Sequence, residues 1–332
     1  MTSSKPSLLV WVLADDRTGN ANQALGVAEA LGFPFEVKRI EYNRWGRLPS
    51  VVCASSLLGV QRSYRAAFKP PWPDIVIAAG RRTVPVARHI KRANLGHSFL
   101  VHIMWPGWPT GDLNLLAVPE HDFVPERDNV IHTVGAPHRV TAALLAQDAS
   151  VWRKRLAHLP RPYIGVLVGG TAGKKVFDVA SASMLGQRIS QLARDCGGTL
   201  LVTTSRRTGV DASEALISAI DAPNYVHRFT SYDPENPFFA FLGLSDAVVV
   251  TGDSTSMCSE ACATGRPVYI FAPPEDTAAK HRYLHQCLYT LGYARPLTGE
   301  FANWSYPPLN AADRIAQAIR ERVGVFLSSR QR

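Results

Sequence analysis

The chain has 332 residues, 46% of them apolar, with a formal charge of +9 and five cysteines. That length exceeds one ordinary domain and suits two, and the apolar fraction excludes a disordered chain. The odd cysteine count and the lack of any C-x-x-C pair argue against a disulfide framework or zinc site and for a reducing compartment.

In chain order, apolar β-branched runs alternate with stretches of helical periodicity. Leu8–Ala14 predicts a first strand. It ends at Asp15-Asp16 without a small-residue cleavage site, so it reads as a strand and not as a signal peptide. Next come helix Ala21–Leu31, strands Phe35–Ile40 and Ile75–Ala79, and helix Val84–Ala93. Strands Phe99–Met104, Leu113–Val118 and Val130–Thr133 precede helix Val140–Leu156. The rhythm restarts after Pro160-Arg161-Pro162 with strand Tyr163–Val168, helix Ala180–Cys196, strand Leu200–Thr204, helix Ala212–Ile220 and strand Tyr225–Phe229. Strand Ala247–Thr251, helix Ser256–Thr264, strand Val268–Phe271 and helices Ala278–Leu291 and Ala311–Val323 complete the pattern. Continuous apolar strands with helices between them predict an α/β chain: two Rossmann-like doubly wound parallel-sheet domains facing across a cleft. The expected bounds are 1–158, 159–310 and a C-terminal helix, 311–332, packing back on the first domain. No apolar run approaches the roughly 18 residues that span a bilayer. The expected location is the cytoplasm, or the periphery of the inner membrane.

The charge is uneven. Residues 1–160 carry 19 Lys and Arg against 12 Asp and Glu, residues 161–332 carry 17 against 15. The basic first half suits an anionic surface, though solvating charge reads equally well. Arg81 and Arg82 follow a strand, and Arg88, Lys91 and Arg92 continue a basic helix. A phosphate clamp at Arg81 and a membrane-facing helix are both consistent with this.

Thr251-Gly252-Asp253-Ser254-Thr255-Ser256-Met257-Cys258-Ser259-Glu260-Ala261 is the richest segment. A strand, a hydroxyl-rich turn and a helix start form a phosphate cradle, because the first helical amides are unpaired and carry partial positive charge. Glu260, one turn in, is placed to reach sugar hydroxyls. In the same predicted domain, Gly169-Gly170-Thr171-Ala172-Gly173-Lys174-Lys175 lets a ligand approach the backbone, and either lysine could neutralise a diphosphate. The spacing fits neither a Walker A motif nor the full dinucleotide fingerprint. Ser205 and Arg206 end a neighbouring strand and offer a hydroxyl and a guanidinium fork. In the first domain Asp16, Gly19, Asn20 and Gln23 follow the first strand, with more polar groups than an N-cap requires. His121, beside Glu120 and Asp122, is a candidate base or an ordinary turn histidine. His281 and His285 lack a third ligand and read as helix-surface or cleft-edge residues; Cys258 and Cys262 read as buried packing.

Asp16-Arg17-x-Gly19-Asn20-x-Asn22-Gln23, Val118-Pro119-Glu120-His121-Asp122, Val134-Gly135-Ala136 and the Thr251–Ala261 segment resemble the mitochondrial-fission "elongated mitochondria" family, which has many bacterial members. The second half also resembles GT-B glycosyltransferases through Gly169-Gly170, Ser254-Thr255-Ser256, Glu260-Ala261 and Gly265-Arg266-Pro267. That resemblance implies a metal-independent transferase without cofactor, moving a sugar from a nucleoside-diphosphate donor to an envelope lipid or saccharide, with no nucleic-acid partner. It implies that Ser254, Thr255 and Ser256 hold the diphosphate with their backbone amides; the residue pattern adds Gly170, Thr171 and Met257 as diphosphate candidates, and Ser205 and Arg206, which read equally well as an ordinary strand-to-helix loop. Glu260 would bind the ribose, and the Arg228-Phe229 backbone the base. Gly19, Asn20, Gln23 and Arg81 would serve the acceptor, with Asp16 or His121 as base. Asp253 departs from the transferase pattern, because a carboxylate beside a phosphate turn is unexpected. The alternatives are a non-hydrolysing nucleotide-sugar epimerase and a non-enzymatic peripheral membrane or scaffold protein.

Overall fold

A computed structural model describes residues 8–173, 175–230, 235–275, 277–298 and 300–328. The chain divides into unit 1, Met1–Arg139 with Asn310–Arg332, and unit 2, Val140–Leu309.

Unit 1 is built on six strands: β1 (Val10–Ala14), β2 (Phe35–Arg39), β3 (Ile75–Ala79), β4 (Phe99–Ile103), β5 (Leu115–Pro119) and β6 (Val130–Thr133). They pair in parallel in the order β2-β1-β3-β4-β5-β6. Alternate residues serve opposite faces. Val10, Val12, Ile75 and Ile77 meet α1 (Thr18–Leu31), while Trp11, Leu13, Val76 and Ala78 share a core with Val86, Ala87 and Ile90. Between β2 and β3 lie two four-residue helices without periodic signature, α2 (Ser50–Cys53) and α3 (Arg62–Arg65). The basic helix α4 (Val84–Ala93) follows β3.

Unit 2 opens with α5 (Ala142–Leu156), then β7 (Tyr163–Leu167), α6 (Val179–Cys196), β8 (Thr199–Thr203), α7 (Val210–Ser218) and β9 (Asn224–His227). Next come α8 (Phe238–Leu244), β10 (Ala247–Thr251), α9 (Thr255–Cys262), β11 (Val268–Phe271), α10 (Ala279–Thr290) and the two-residue β12 (Arg295–Pro296). The parallel order is β12-β11-β10-β7-β8-β9. Leu185, Ile189 and Leu216 of α6 and α7 cover one face with Ile164 and Val166; Trp152 of α5 and Phe241 of α8 cover the other with Tyr163 and Leu201.

The division falls at 139/140, not at 158/159, because α5 packs on α8 and supplies Ala149, Trp152 and Leu156 to the core of unit 2. The last helix, α11 (Ala311–Ser328), lies in unit 1, where Ile315, Ala316, Ile319 and Val323 join the core that holds Val27 and Leu31 of α1. Burying such aliphatic side chains contributes about 1.5–3 kcal/mol each. No helix among the described residues is long and apolar enough to cross a membrane.

In each sheet the connections reverse direction at one place, between β1 and β3 in unit 1 and between β7 and β10 in unit 2. Ligands of open parallel sheets bind beyond the carboxyl ends of the strands at such a reversal.

Candidate functional site

In unit 2 the reversal brings Gly169-Gly170 after β7 against Gly252-Asp253-Ser254 after β10. The Thr251 hydroxyl accepts the Gly169 amide at 2.7 Å, and Asp253 Oδ2 accepts the Gly170 amide at 3.0 Å. A methyl group on Gly169 would lie 2.4 Å from the Asp253 carboxylate, and Gly170 sits at φ 143° with its missing Cβ 2.1 Å from the Arg207 carbonyl. Gly170 therefore demands glycine, and a side chain at Gly169 would displace the Asp253 carboxylate. Ser205 Oγ and Thr208 Oγ1 donate to the Gly169 carbonyl at 2.5 and 2.6 Å, which locks the third loop onto the same turn. Arg207 pairs with Asp253 at 2.6 Å. Asp253 Oδ1 is buried without a hydrogen-bond partner among the described residues. This explains the unexpected carboxylate: it holds two loops and fixes a guanidinium beside the helix start.

Ser254 is the N-cap of α9, its Oγ accepting the Met257 amide at 3.4 Å. Thr255, Ser256 and Met257 form the first turn and are partly exposed. Glu260 is 7% exposed, and its side chain makes no hydrogen bond or ion pair among the described residues. Burial alone pushes its carboxyl up to about 8. His285 is buried, its Nε2 2.9 Å from the Gly252 carbonyl, so it braces the turn from α10 and is not a surface residue. His281, half-buried, has its imidazole lowered by burial and by Lys280, with Asp253 and Arg207 acting on it in opposite senses. Cys258 and Cys262 are buried, and burial holds both thiols protonated.

Several predicted residues serve otherwise. Arg206 is exposed, and the neighbouring Arg207 occupies the turn. Thr171 staples its own loop, its amide donating to the Arg207 carbonyl at 3.0 Å and its Oγ1 accepting from the Phe177 amide at 3.3 Å. Arg228 pairs with Glu214, and the Phe229 amide donates to Thr204 Oγ1 at 2.9 Å, so that amide is already engaged. Lys175 bonds the Glu275 carbonyl, and Lys174 lies outside the described residues.

In unit 1, Asp15 and Asp16 end β1 beside Arg82 at the end of β3. The Asp15 side chain is fully buried. Its oxygens accept the Arg17 amide and the Asn20 amide group, both at 3.1 Å, with Arg82 at 3.5 Å. Burial raises the Asp15 carboxyl, opposed first by the Asn20 hydrogen bond, then by Arg17 and Arg82. Asp16 is half-exposed and bonded by the Arg82 guanidinium, which lies 4.4 Å over the Tyr42 ring. The Tyr42 hydroxyl is buried without a hydrogen-bond partner among the described residues, and burial, then Asp15, raises it. A groove of about 510 Å³ passes Asp15, Asp16 and Tyr42, lined also by Arg39, Glu41, Gln61 and Tyr64. Gly19 lies inside α1 and not in a turn, Gln23 is buried on that helix, and Arg81 is exposed while Arg82 takes the central place. His121 is buried in the short turn Glu120–Asp122 after β5. The sequence assigned no site role to Asp15, Tyr42 or Arg207, offered Arg82 only beside Arg81 and placed His281 at a helix surface or cleft edge; proximity of Asp15, Arg82 and Arg207 to residues already singled out was the only signal for those three.

The family description "Mitochondrial fission ELM1" matches residues 18–323. The chain belongs to that family. Its relatives include an uncharacterized protein of Rickettsia prowazekii (strain Madrid E), 27% identical over 94% of this chain and 97% of the relative. The Mitochondrial fission protein ELM1 of Arabidopsis thaliana is 28% identical over 82% of this chain and 69% of its own length. Among solved structures, the UDP-GlcNAc 2-epimerase of Methanocaldococcus jannaschii, in complex with UDP-GlcNAc and UDP, superposes with a TM-score of 0.52 at 11% identity, over 95% of this chain and all of the other. The glycosyltransferase SnogD of Streptomyces nogalater gives 0.53 at 15% identity, over 96% and 95%, and the forosaminyltransferase SpnP gives 0.53 at 11%, over 97% and 94%. At such identities the likeness is one of fold: two Rossmann-like domains of the GT-B kind.

Proposed function

We propose that unit 2 binds a nucleoside-diphosphate sugar at the turn joining Gly169-Gly170 to α9, and that the protein transfers the sugar to a lipid or saccharide hydroxyl. The observation that carries this reading is Glu260: a buried carboxyl with no partner among the described residues, one turn into a helix that starts at the strand reversal. A largely buried carboxyl with its oxygens uncommitted can accept from paired hydroxyls such as those of a ribose. The first-turn amides of α9 and the Arg207 guanidinium then face the diphosphate. Structural neighbours named for UDP-GlcNAc binding and for glycosyl transfer add support.

In the proposed step the acceptor oxygen bonds to the anomeric carbon as the bond from that carbon to the diphosphate oxygen breaks. The diphosphate leaves with the electron pair, its growing charge met by α9 and Arg207 without a bound metal. The hydroxyl proton passes to a carboxylate. The candidate that the sequence offered first is Asp16, whose side chain is half-exposed.

Calorimetry with a panel of nucleoside diphosphates and their sugars tests the site. Arg207→Gln should lower the affinity at least tenfold, while Arg206→Gln stays within about twofold of wild type, because a charge-assisted hydrogen bond contributes roughly 1.5–3 kcal/mol. Equal affinities in all three proteins would remove the diphosphate assignment. Incubation with donor alone discriminates further: an epimerised sugar selects the epimerase, and no nucleotide affinity at all selects the scaffold.

A further inference from the structure

The basic helix that the sequence offered to an anionic surface is occupied. Arg88 of α4 is buried and donates through Nε to Asp112 at 2.6 Å, and Lys91 donates to the Asp112 carbonyl and to Asn114, both at 2.8 Å. A different segment of unit 1 exposes apolar side chains among the described residues. The segment between β2 and β3 exposes Trp45 by 43%, Val51 by 61%, Val52 by 62% and Leu58 by 45%.

These four residues sit on one stapled cap. The Asn43 amide group donates to the Leu58 carbonyl at 2.8 Å and to the Val60 carbonyl at 3.1 Å. Cys53 Sγ points at the Trp45 carbonyl at 3.8 Å, tying α2 to the Trp45 turn, and Arg65 donates to the Leu58 carbonyl at 3.1 Å. From Tyr42 to Pro73 the chain contains no Asp or Glu, yet it carries Arg44, Arg47, Arg62, Arg65 and Lys69. Arg44 lies 4.8 Å over the Trp45 ring, and Arg44, Arg47, Arg62 and Lys69 are exposed. A small cavity beneath the cap is lined by Tyr42, Cys53, Arg81 and Arg82, so the exposed Arg81 adds its charge at the same place.

We propose that this cap is the surface by which the protein seats on an anionic lipid bilayer. Tryptophan suits the headgroup level, exposed valines gain by entering the acyl boundary, and arginines extend their heads to lipid phosphates. Charge selects this occupant over a second copy of the chain, because a two-fold contact through the cap would set its arginines against each other. The inference does not depend on the sugar-transfer reading, since seating requires no nucleotide.

Flotation of the full chain with vesicles tests it. Phosphatidylglycerol–phosphatidylcholine vesicles should carry the protein at low salt and pure phosphatidylcholine vesicles should not. Val51→Asp with Val52→Asp should cut partitioning at least tenfold, and Arg44→Ala and Arg47→Ala roughly fivefold each. Val210→Asp, exposed on unit 2, should change nothing. All the substituted side chains are exposed, and circular dichroism melts are the check that each variant folds. No binding to anionic vesicles, or equal binding to neutral ones, overturns the proposal. So does wild-type partitioning by the double aspartate variant, or a double variant that only loses self-association in sedimentation.

Discussion

Glu260 links chemistry to stability at a single carboxyl. Its folded pKa, about 8, stands above the unfolded value of 4.5, so between those pH values the folded chain keeps a proton that the unfolded chain has released. Its contribution is therefore intact below pH 4.5 and is lost as pH rises through about 8. Urea denaturation at pH 5 and pH 8.5 should show wild type losing a few kcal/mol more than Glu260→Gln over that interval. An identical pH trend in both proteins would mean the carboxyl is not held neutral. Nucleotide affinity should rise from pH 6 to pH 8 in wild type and stay level in the glutamine variant, because hydroxyl donors favour the ionised form. The type of residue at each turn was legible in the sequence, and the member of each pair was not. Asp15 stands beside Asp16, Arg82 beside Arg81 and Arg207 beside Arg206. Each pair lies just past a strand end, where the alternation that assigns faces has stopped. Which neighbour turns inward depends on contacts such as Asn20 to Asp15 and Arg207 to Asp253, made with other loops.

Among elements, the periodic ones were readable and the small or fully buried ones were not. β3, β6, β10, β11 and α4 have the predicted bounds. α2 and α3 have four residues each, too few to show a period. α8, Phe-Phe-Ala-Phe-Leu-Gly-Leu, is apolar all round and shows no amphipathic stripe. Pro160-Arg161-Pro162 punctuates the chain at the start of β7, but packing assigns α5 to unit 2 through Trp152 and Phe241, whose rings lie 5.7 Å apart. α11 is the element on which unit 1 most depends from a distance. Ile319 is fully buried against the α1 side of the sheet, so Ile319→Ala should cost about 2–5 kcal/mol in denaturant titration while leaving nucleotide affinity unchanged. A loss of affinity with intact stability would place α11 in the site instead.

For the whole molecule, the division makes unit 2 continuous and unit 1 interrupted. The fragment 140–309 should fold alone and keep the nucleotide affinity of the full chain, and calorimetry measures both. The fragment 1–139 should remain largely unfolded, with weak near-ultraviolet dichroism, until a peptide covering 310–332 is added. A folded 1–139 fragment would show that α11 is dispensable. The order of synthesis follows from the same interruption. The domain translated second can close first, while the one translated first waits with the α1 side of its sheet incompletely covered. A ribosome-bound nascent chain is then sticky until α11 emerges, so production in cells should depend on holding chaperones up to that point.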